Sequence, residues 1–435
     1  MKAASNYLTE VRDQYENLPY PPRDPKDEHK RLLATWLDDL PMINHYCFGG
    51  TQTFDHDFRV LVAGGGTGDG TIYLAEQLRD TNAEIVHLDL SEASIEVAKR
   101  RAEIRELGNI RWQHESLLAL PELDIGKFDY INCSGVLHHL ADPNAGLQAL
   151  LSVKKPSGAL GIMVYGQYGR TGIYQMQALL KLINVNAKTV DEKLETAKSL
   201  LKVLPATNWF QRGKDLHHDH VEFGDAGIYD LLLHSQDRAY TVEELYGWFN
   251  DELGLNIVFT DVGRGRSPYL PHMLVGPHTP SFLTVIASLP IRQQQAIAEL
   301  IGGTLAMHCF YATPSHESVA AYGDLGMIPY FFHESTTGPE MSAFIHKNPG
   351  PTLLLNHRQT GVSVSVNPGK YGKFILKYID GKRSFAEIFE LVKAEDKFKR
   401  LPPTDAELFA DFKELYDFFN SIDRMLLKKQ AGLPA

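Results

Sequence analysis

Three groups of residues in this chain of 435 have the types and spacing for chemistry. The first is the run Gly64-Gly65-Gly66-Thr67-Gly68, which follows the apolar Val60-Leu61-Val62-Ala63 and precedes a segment of helical composition, Thr71 to Leu78. Gly64, Gly66 and Gly68 carry no Cβ, so a turn built on them lets backbone come close to a ligand. The second is Asp89, about twenty residues further on, ending the stretch Ile85-Val86-His87-Leu88, where a carboxylate can accept hydrogen bonds from ribose hydroxyls. The third is His138-His139, just after Phe128-Asp129-Tyr130-Ile131-Asn132-Cys133. A neutral imidazole there can take a proton from a hydroxyl or amine nucleophile. Each group has a plainer alternative. A glycine turn also packs a helix onto a strand, an aspartate also caps a helix, and a histidine pair also splits between packing and solvent.

These residues need elements to hold them, and the pattern supplies an alternation of strands and helices from Phe58 onward. Strands are expected at Val60 to Ala63, Ile85 to Ser91, Ile110 to His114, Phe128 to Cys133 and Ala159 to Tyr165. Helices intervene, one capped by Ser91 and stopping near Gly108, another from about Ala145 to Val153. Regular alternation of this kind implies an α/β fold with a parallel sheet and right-handed crossovers. Its ligand lies off the carboxyl ends of the strands, where the strand order switches direction. All three groups sit after strands, at that end.

The flanking regions read differently. Tyr7, Leu8, Val11 and Tyr15 have the spacing of a short amphipathic helix, and the proline-rich Asn17 to Pro25 is largely extended. Residues 1–50 therefore form an N-terminal arm or lid. Residues 170–225 are a helix-rich insertion holding His217-His218-Asp219-His220, a polar loop to which we assign no metal. Thr241-Val242-Glu243-Glu244 is a capping box, and Leu255 to Phe259 a late strand. The first domain spans residues 51–270. Residues 271–350 form a helical and loop-rich connector, and residues 351–435 a smaller α+β accessory domain. That domain has strand-like alternation at Val362 to Val366 and capping boxes at Ser384 and Thr404. The stripe Leu408, Phe412, Leu415, Phe419, Ile422 and Met425 is a core or dimer face.

Composition narrows the classes. The chain is 43% hydrophobic and 22% charged, with 54 acidic residues against 43 Lys and Arg and a net charge of −11. That balance argues against an affinity built on neutralising phosphates, so DNA is not an expected partner. No run approaches the roughly eighteen apolar residues of a membrane span. Cys47, Cys133 and Cys309 are widely spaced and odd in number, with no metal or disulfide pattern, which fits a cytoplasmic protein.

Two ligands suit the glycine turn and Asp89 equally: a dinucleotide and S-adenosylmethionine. Further motifs separate them. The Gly64-x-Gly66-x-Gly68 turn, Leu88-Asp89-Leu90-Ser91, Phe128-Asp129-Tyr130-Ile131 with Val136-Leu137-His138-His139-Leu140, and Lys155-Pro156-Ser157-Gly158 occur together, in order, over roughly residues 58–165. In this the chain resembles the class I S-adenosylmethionine-dependent methyltransferases, and the arm with Gln14-Tyr15-Glu16 and Pro19-Tyr20-Pro21 is similar to a segment preceding the fold in some bacterial members. The resemblance implies a Rossmann-like sheet of seven strands, the last antiparallel, with S-adenosylmethionine as cofactor. It puts the glycine turn near the methionine and sugar, Asp89 on the ribose, Ser116 and Leu117 at the adenine edge, and Cys133 and Ser134 near the methionine end. Two positions depart from the family. Val62 stands where an acid is common, with Asp69 or a backbone carbonyl as candidate substitutes, and Ser116 stands where Asp is frequent.

Methyl transfer chiefly requires alignment of nucleophile and methyl group with water excluded. Candidate catalytic residues are His138, His139 and Tyr165. Tyr15, Tyr20, His234 and Arg238 are candidates for the substrate mouth or lid, and the aromatic rings of Tyr15, Tyr20 and Tyr165 also suit a cation. The acceptor, a small molecule or a protein side chain, is not specified, nor is the oligomeric state. The Val62 departure also allows a second class of function, a sensor that binds the cofactor without turnover.

Overall fold

The structure is a computed structural model that describes residues 12, 15–216, 219–276, 280–358 and 361–430. The helix expected around Tyr7, Leu8 and Val11, and His217 and His218, lie outside the described residues. By compactness the chain divides into two units. The first is Met1–Asp38, Phe54–Leu245 and Gly303–Cys309, and the second is Asp39–Thr53, Tyr246–Gly302 and Phe310–Ala435.

The α/β sheet starts from β1 (Arg59–Ala63), β2 (Glu84–Asp89), β3 (Ile110–His114), β4 (Phe128–Ser134) and β5 (Lys154–Gly166). Val60 to Ala63 and Ile85 to Asp89 are buried throughout. Continuous burial, rather than alternation, is what a parallel strand covered on both faces requires. The pairings are parallel, with Val60 opposite Ile85 and Tyr130, Ile85 opposite Ile110, and Tyr130 opposite Ala159. With β6 (Ala239–Tyr240), β7 (Asn256–Thr260) and β8 (Met307–Thr313), the strand order is β3-β2-β1-β4-β5-β8-β7, and β6 pairs with β5. The order reverses between β1 and β4, so the crevice expected for a ligand opens beside the ends of those two strands. The sheet also takes in β8, which lies beyond residue 270.

Local signals account for the helices. Ser91 caps Glu92–Ile104 through Ser94 N–H at 3.1 Å, and Asp142 caps Pro143–Val153, with proline in its first turn. Lys155-Pro156-Ser157-Gly158 belongs to β5 rather than to a turn before it. Pairing begins at Lys154 and skips register between Phe128 and Tyr130, an irregularity that accommodates the proline. The insertion packs Ile173, Met176, Leu180, Leu194 and Phe210 into a small core that Leu231 and Leu232 complete from beyond it.

In the second unit the stripe from Leu408 to Met425 is buried, inside a core shared with Phe385, Phe389 and Ile375. Ser384 and Thr404 form the expected capping boxes, as does Thr337. Leu353–His357 and Val362–Val366 pair antiparallel. All three cysteines are buried, and none forms a disulfide. No helix among the described residues is long and apolar enough to cross a membrane.

Candidate active site

The glycine turn folds back onto the end of β2. Gly64 and Gly65 N–H donate to the Leu88 carbonyl at 2.7 and 3.1 Å, and Gly66 N–H donates to Asp89 Oδ2 at 2.7 Å. Gly64 and Gly66 have φ of +74° and +52°. A Cβ at Gly64 falls 2.3 Å from Val136, and one at Gly66 2.8 Å from the Tyr20 carbonyl oxygen. Gly68 serves a different purpose: a Cβ there meets Ala98 at 2.8 Å, so this glycine brings two helices together.

Asp89 is buried, and burial pushes its pKa up against the opposing hydrogen bonds from Ser91 N–H, at 2.8 Å, and Gly66 N–H. Ser116 follows β3 and caps the turn Leu117–Glu122 through Leu118 N–H; Leu117 is buried. Cys133 is buried in β4 with its thiol pushed up to about 12, so it is a neutral packing group. Ser134 and Gly135 beyond it are half-buried.

The N-terminal arm runs over this crevice. Ser91 Oγ donates to the Tyr15 carbonyl at 3.1 Å, and the Glu16 carboxylate accepts from Glu92 and Ala93 N–H at the start of the following helix. Thr67 Oγ1 donates to the Pro21 carbonyl at 2.7 Å. Arg23 makes a two-pronged pair with Asp69, and the wholly buried Arg101 donates to Asp69, Glu28 and the Thr67 carbonyl at 2.7 to 2.8 Å. Burial alone raises the Asp69 pKa, but Arg23 and Arg101 outweigh it and hold the carboxyl below its usual value. Asp69 is thus committed to structural cations and does not replace the acid missing at Val62. Asp38, which the sequence did not single out, is buried beside Gly70, where a methyl group falls 2.8 Å from Oδ2, and accepts hydrogen bonds from Asn132 and Thr35 at 2.7 Å.

Beyond the ends of β4 and β5 a second cluster gathers Tyr15, His138, His139, Tyr165, Asp230 and His234. His138 stacks on Tyr165 and His139 on His234, each with centroids 3.8 Å apart. Both tyrosine hydroxyls donate to Asp230, from Tyr15 at 3.3 Å and from Tyr165 at 3.4 Å. His139 Nδ1 donates to the Gln236 carbonyl at 2.9 Å, which leaves the lone pair on Nε2. Gln236 N–H donates to His234 Nδ1 at 3.1 Å, so the His234 proton sits on Nε2, facing the Tyr15 hydroxyl at 3.4 Å. Neither ring nitrogen of the buried His138 has a hydrogen-bond partner among the described residues. Arg170 covers Tyr165 at 3.5 Å and pairs with Asp237.

Burial is the main force on all three imidazoles. It lowers His138 and His234 well below the usual range, and His139 to about 4. Burial and Asp230 both raise the pKa of Tyr15 and Tyr165 and so keep the phenols protonated. His139, Asp230 and His234 bring potential metal-ligand atoms within 4.8 Å of one another. Each of these groups also has a protein partner: Gln236 engages Nδ1 of both histidines, and Asp230 accepts from the two tyrosines.

Of the predicted substrate residues, Tyr15 and His234 join the cluster. Tyr20 packs edge-on to Phe223. Arg238 stays outside: its side chain is exposed and pairs with Glu244. Sequence reading missed Asp230. The available signal was a lone acid inside the apolar run Ile228-Tyr229-Asp230-Leu231-Leu232.

The buried neutral histidines have a consequence for stability. His87, fully buried with Nδ1 against Thr71 Oγ1, is lowered to about 3 and His139 to about 4, from 6.5 in the unfolded chain. Below pH 6.5 the unfolded chain binds protons that the folded chain refuses, so stability falls as pH drops through this window. Near pH 5 each ring costs about 2 kcal/mol relative to neutral pH. Urea unfolding at roughly pH 7.5 and 5 measures this, and His87→Asn flattens the dependence. A midpoint that does not move with pH excludes the effect.

Residues 54–244 match the family model described as "Methyltransferase domain". The glycine turn, Asp89 and the switch in strand order all lie within this match, and in them it resembles a class I S-adenosylmethionine-dependent methyltransferase domain. A protein of Synechococcus sp. described as uncharacterized is 32% identical over 265 residues, 60% of this chain and 61% of its own length. The ubiquinone biosynthesis O-methyltransferase of Acinetobacter baylyi is 25% identical over 38% of this chain and 62% of its own length. The chain therefore spans less than two thirds of these relatives. Among solved structures, that of PKMT2 from Rickettsia typhi is similar over 95% of this chain and 77% of its own, with a TM-score of 0.57 and 14% identity, a likeness of fold.

Proposed function

We propose that this chain is a cytoplasmic enzyme that methylates an acceptor, a small molecule or a protein side chain, using S-adenosylmethionine. The observation that carries the reading is that the glycine turn, Asp89 and the histidine–tyrosine cluster all gather at the carboxyl ends of the strands. The residues suit the cofactor: Asp89 is a buried acceptor beside a glycine turn that Gly64 and Gly66 fold tightly against Val136 and the Tyr20 carbonyl. Asp89 holds the ribose, Ser116 and Leu117 border the adenine, and Cys133 and Ser134 border the methionine end.

When bound, S-adenosylmethionine supplies an electrophilic methyl group on a sulfonium, and a neutral acceptor that takes it must release one proton. His139 Nε2, a lone pair held in place by the Nδ1 bond to Gln236, is the group we assign to receive that proton. Tyr165 and the arm with Tyr15 and Tyr20 wall the reacting atoms from water. Calorimetry tests the reading: S-adenosylmethionine binds the chain and NAD does not, and methyl-labelled cofactor transfers its label to a component of a cell extract. Binding of NAD in its place, or no binding, removes the proposal.

A further inference from the structure

We propose that the end of the helix Ile173–Ile183 docks this chain on an anionic lipid surface. Most of the helix is conventionally amphipathic, with Ile173, Met176 and Leu180 fully buried in the core of the insertion. At its end the pattern breaks. Leu182 is 76% exposed, Ile183 48% and Val185 76%, and the short turn Asn184–Asn186 that follows has no buried residue. Leu182 and Val185, three residues apart on a continuous helical path, stand side by side. Three large aliphatic side chains within four residues thus face water where the helical pattern calls for polar ones.

The charge around them points to the occupant. Lys181 and Lys188 bracket the apolar residues, and both are exposed. Neither ammonium has a carboxylate partner among the described residues, whereas Lys198, further along, is paired with Asp225 and Glu195. No acidic residue occurs from Arg170 to Val190. The first two, Asp191 and Glu192, open the next helix, where the Glu192 carboxylate accepts from Lys188 and Thr189 N–H. Over residues 173–214 seven Lys and Arg stand against three acids, on a chain whose net charge is −11. A negative surface is therefore attracted here and repelled by the chain at large. A protein partner is a poorer match, because a stable interface buries about 800 Å² on each side, far more than three side chains present. A bilayer takes up apolar side chains individually, and lysines beside them keep their charge among the headgroups. The same helix leads back to the candidate site, since Gln177 Nε2 donates to the Leu231 carbonyl, next to Asp230, at 3.0 Å.

Sedimentation of the full chain with vesicles tests this, using phosphatidylcholine alone and phosphatidylcholine with about 30% phosphatidylglycerol. The chain sediments with the anionic vesicles, and Leu182→Ser/Val185→Ser weakens binding at least about tenfold, as does Lys181→Glu/Lys188→Glu. Raising the salt concentration from about 0.05 to 0.5 M weakens it as well. Val285→Ser removes an exposed aliphatic side chain with no charged residue within five positions, and leaves binding unchanged. Because the three natural cysteines are buried, Leu182→Cys takes a polarity-sensitive dye at one place, and its emission moves to the blue on anionic vesicles. Circular dichroism confirms that each variant folds. No sedimentation with anionic vesicles, no blue shift, or wild-type binding by Leu182→Ser/Val185→Ser overturns the proposal. Equal binding to neutral vesicles also overturns it. So does a co-purifying protein lost on the same substitutions without any vesicle binding, which makes the helix end a protein interface. S-adenosylmethionine affinity is unaffected in all these variants, so failure here leaves the proposed function standing.

Discussion

Replacing Asp89 with alanine weakens S-adenosylmethionine binding by about 10- to 100-fold, since a hydrogen bond to a charged group contributes about 1.5–3 kcal/mol. Asp89 has two tasks at the end of β2. Its Oδ1 accepts from Ser91 N–H and its Oδ2 from Gly66 N–H, so the carboxylate both presents acceptors to the crevice and holds the glycine turn in place. Alanine removes both, while Asp89→Asn keeps one acceptor oxygen and should retain the turn with a smaller loss of affinity. Titration calorimetry on the two variants, with circular dichroism to confirm folding, separates the contributions. Wild-type affinity in Asp89→Ala moves the ribose contact elsewhere.

The second large effect is on stability. Arg101→Ala lowers the unfolding free energy by about 3–5 kcal/mol, the range for removing one partner from a buried ionic network. The Arg101 side chain is 1% exposed and that of Glu28 3%, and Arg101 also satisfies Asp69 and the Thr67 carbonyl. Arg105 still reaches Glu28 and Arg23 still reaches Asp69, but neither lies where the lost guanidinium was. Arg101→Met, close in volume, separates charge from packing. Urea unfolding reads the loss, and limited proteolysis between residues 15 and 31 reports whether the arm comes away with it. A loss below about 1 kcal/mol, typical of exposed pairs, shows that the network is solvated.

The first unit was legible where a local rule determines structure. Parallel strands buried on both faces appear as unbroken apolar runs, and Val60 to Ala63 and Ile85 to Leu88 show this directly. Ser91, Ser384 and Thr404 announced their helices because capping chemistry spans only three residues. The position of β8 was not legible. Its place in the strand order depends on a long-range pairing that Met307–Thr313 does not encode locally. The site divides along the same line. The glycine turn, Asp89 and the His138-His139 pair announce themselves by spacing. Asp38 and Asp230 become functional candidates only once the chain brings Asp38 to Gly70 and Asp230 to two tyrosines, 215 and 65 residues away in sequence. Gly68 shows the limit of motif reading, since the pattern is the same whether a glycine faces a ligand or, as here, Ala98.

Tyr15 belongs to two places at once. Its backbone carbonyl is tied to Ser91, two residues from Asp89, and its side chain completes the Asp230–His234 cluster. A single residue spanning both makes their equilibria linked rather than independent. If cofactor at the Asp89 corner steadies Tyr15, affinity for the acceptor rises by some factor, and bound acceptor must tighten cofactor by that same factor. The arm thereby couples the two halves of the crevice in both directions, so that each ligand is held more tightly when the other is in place.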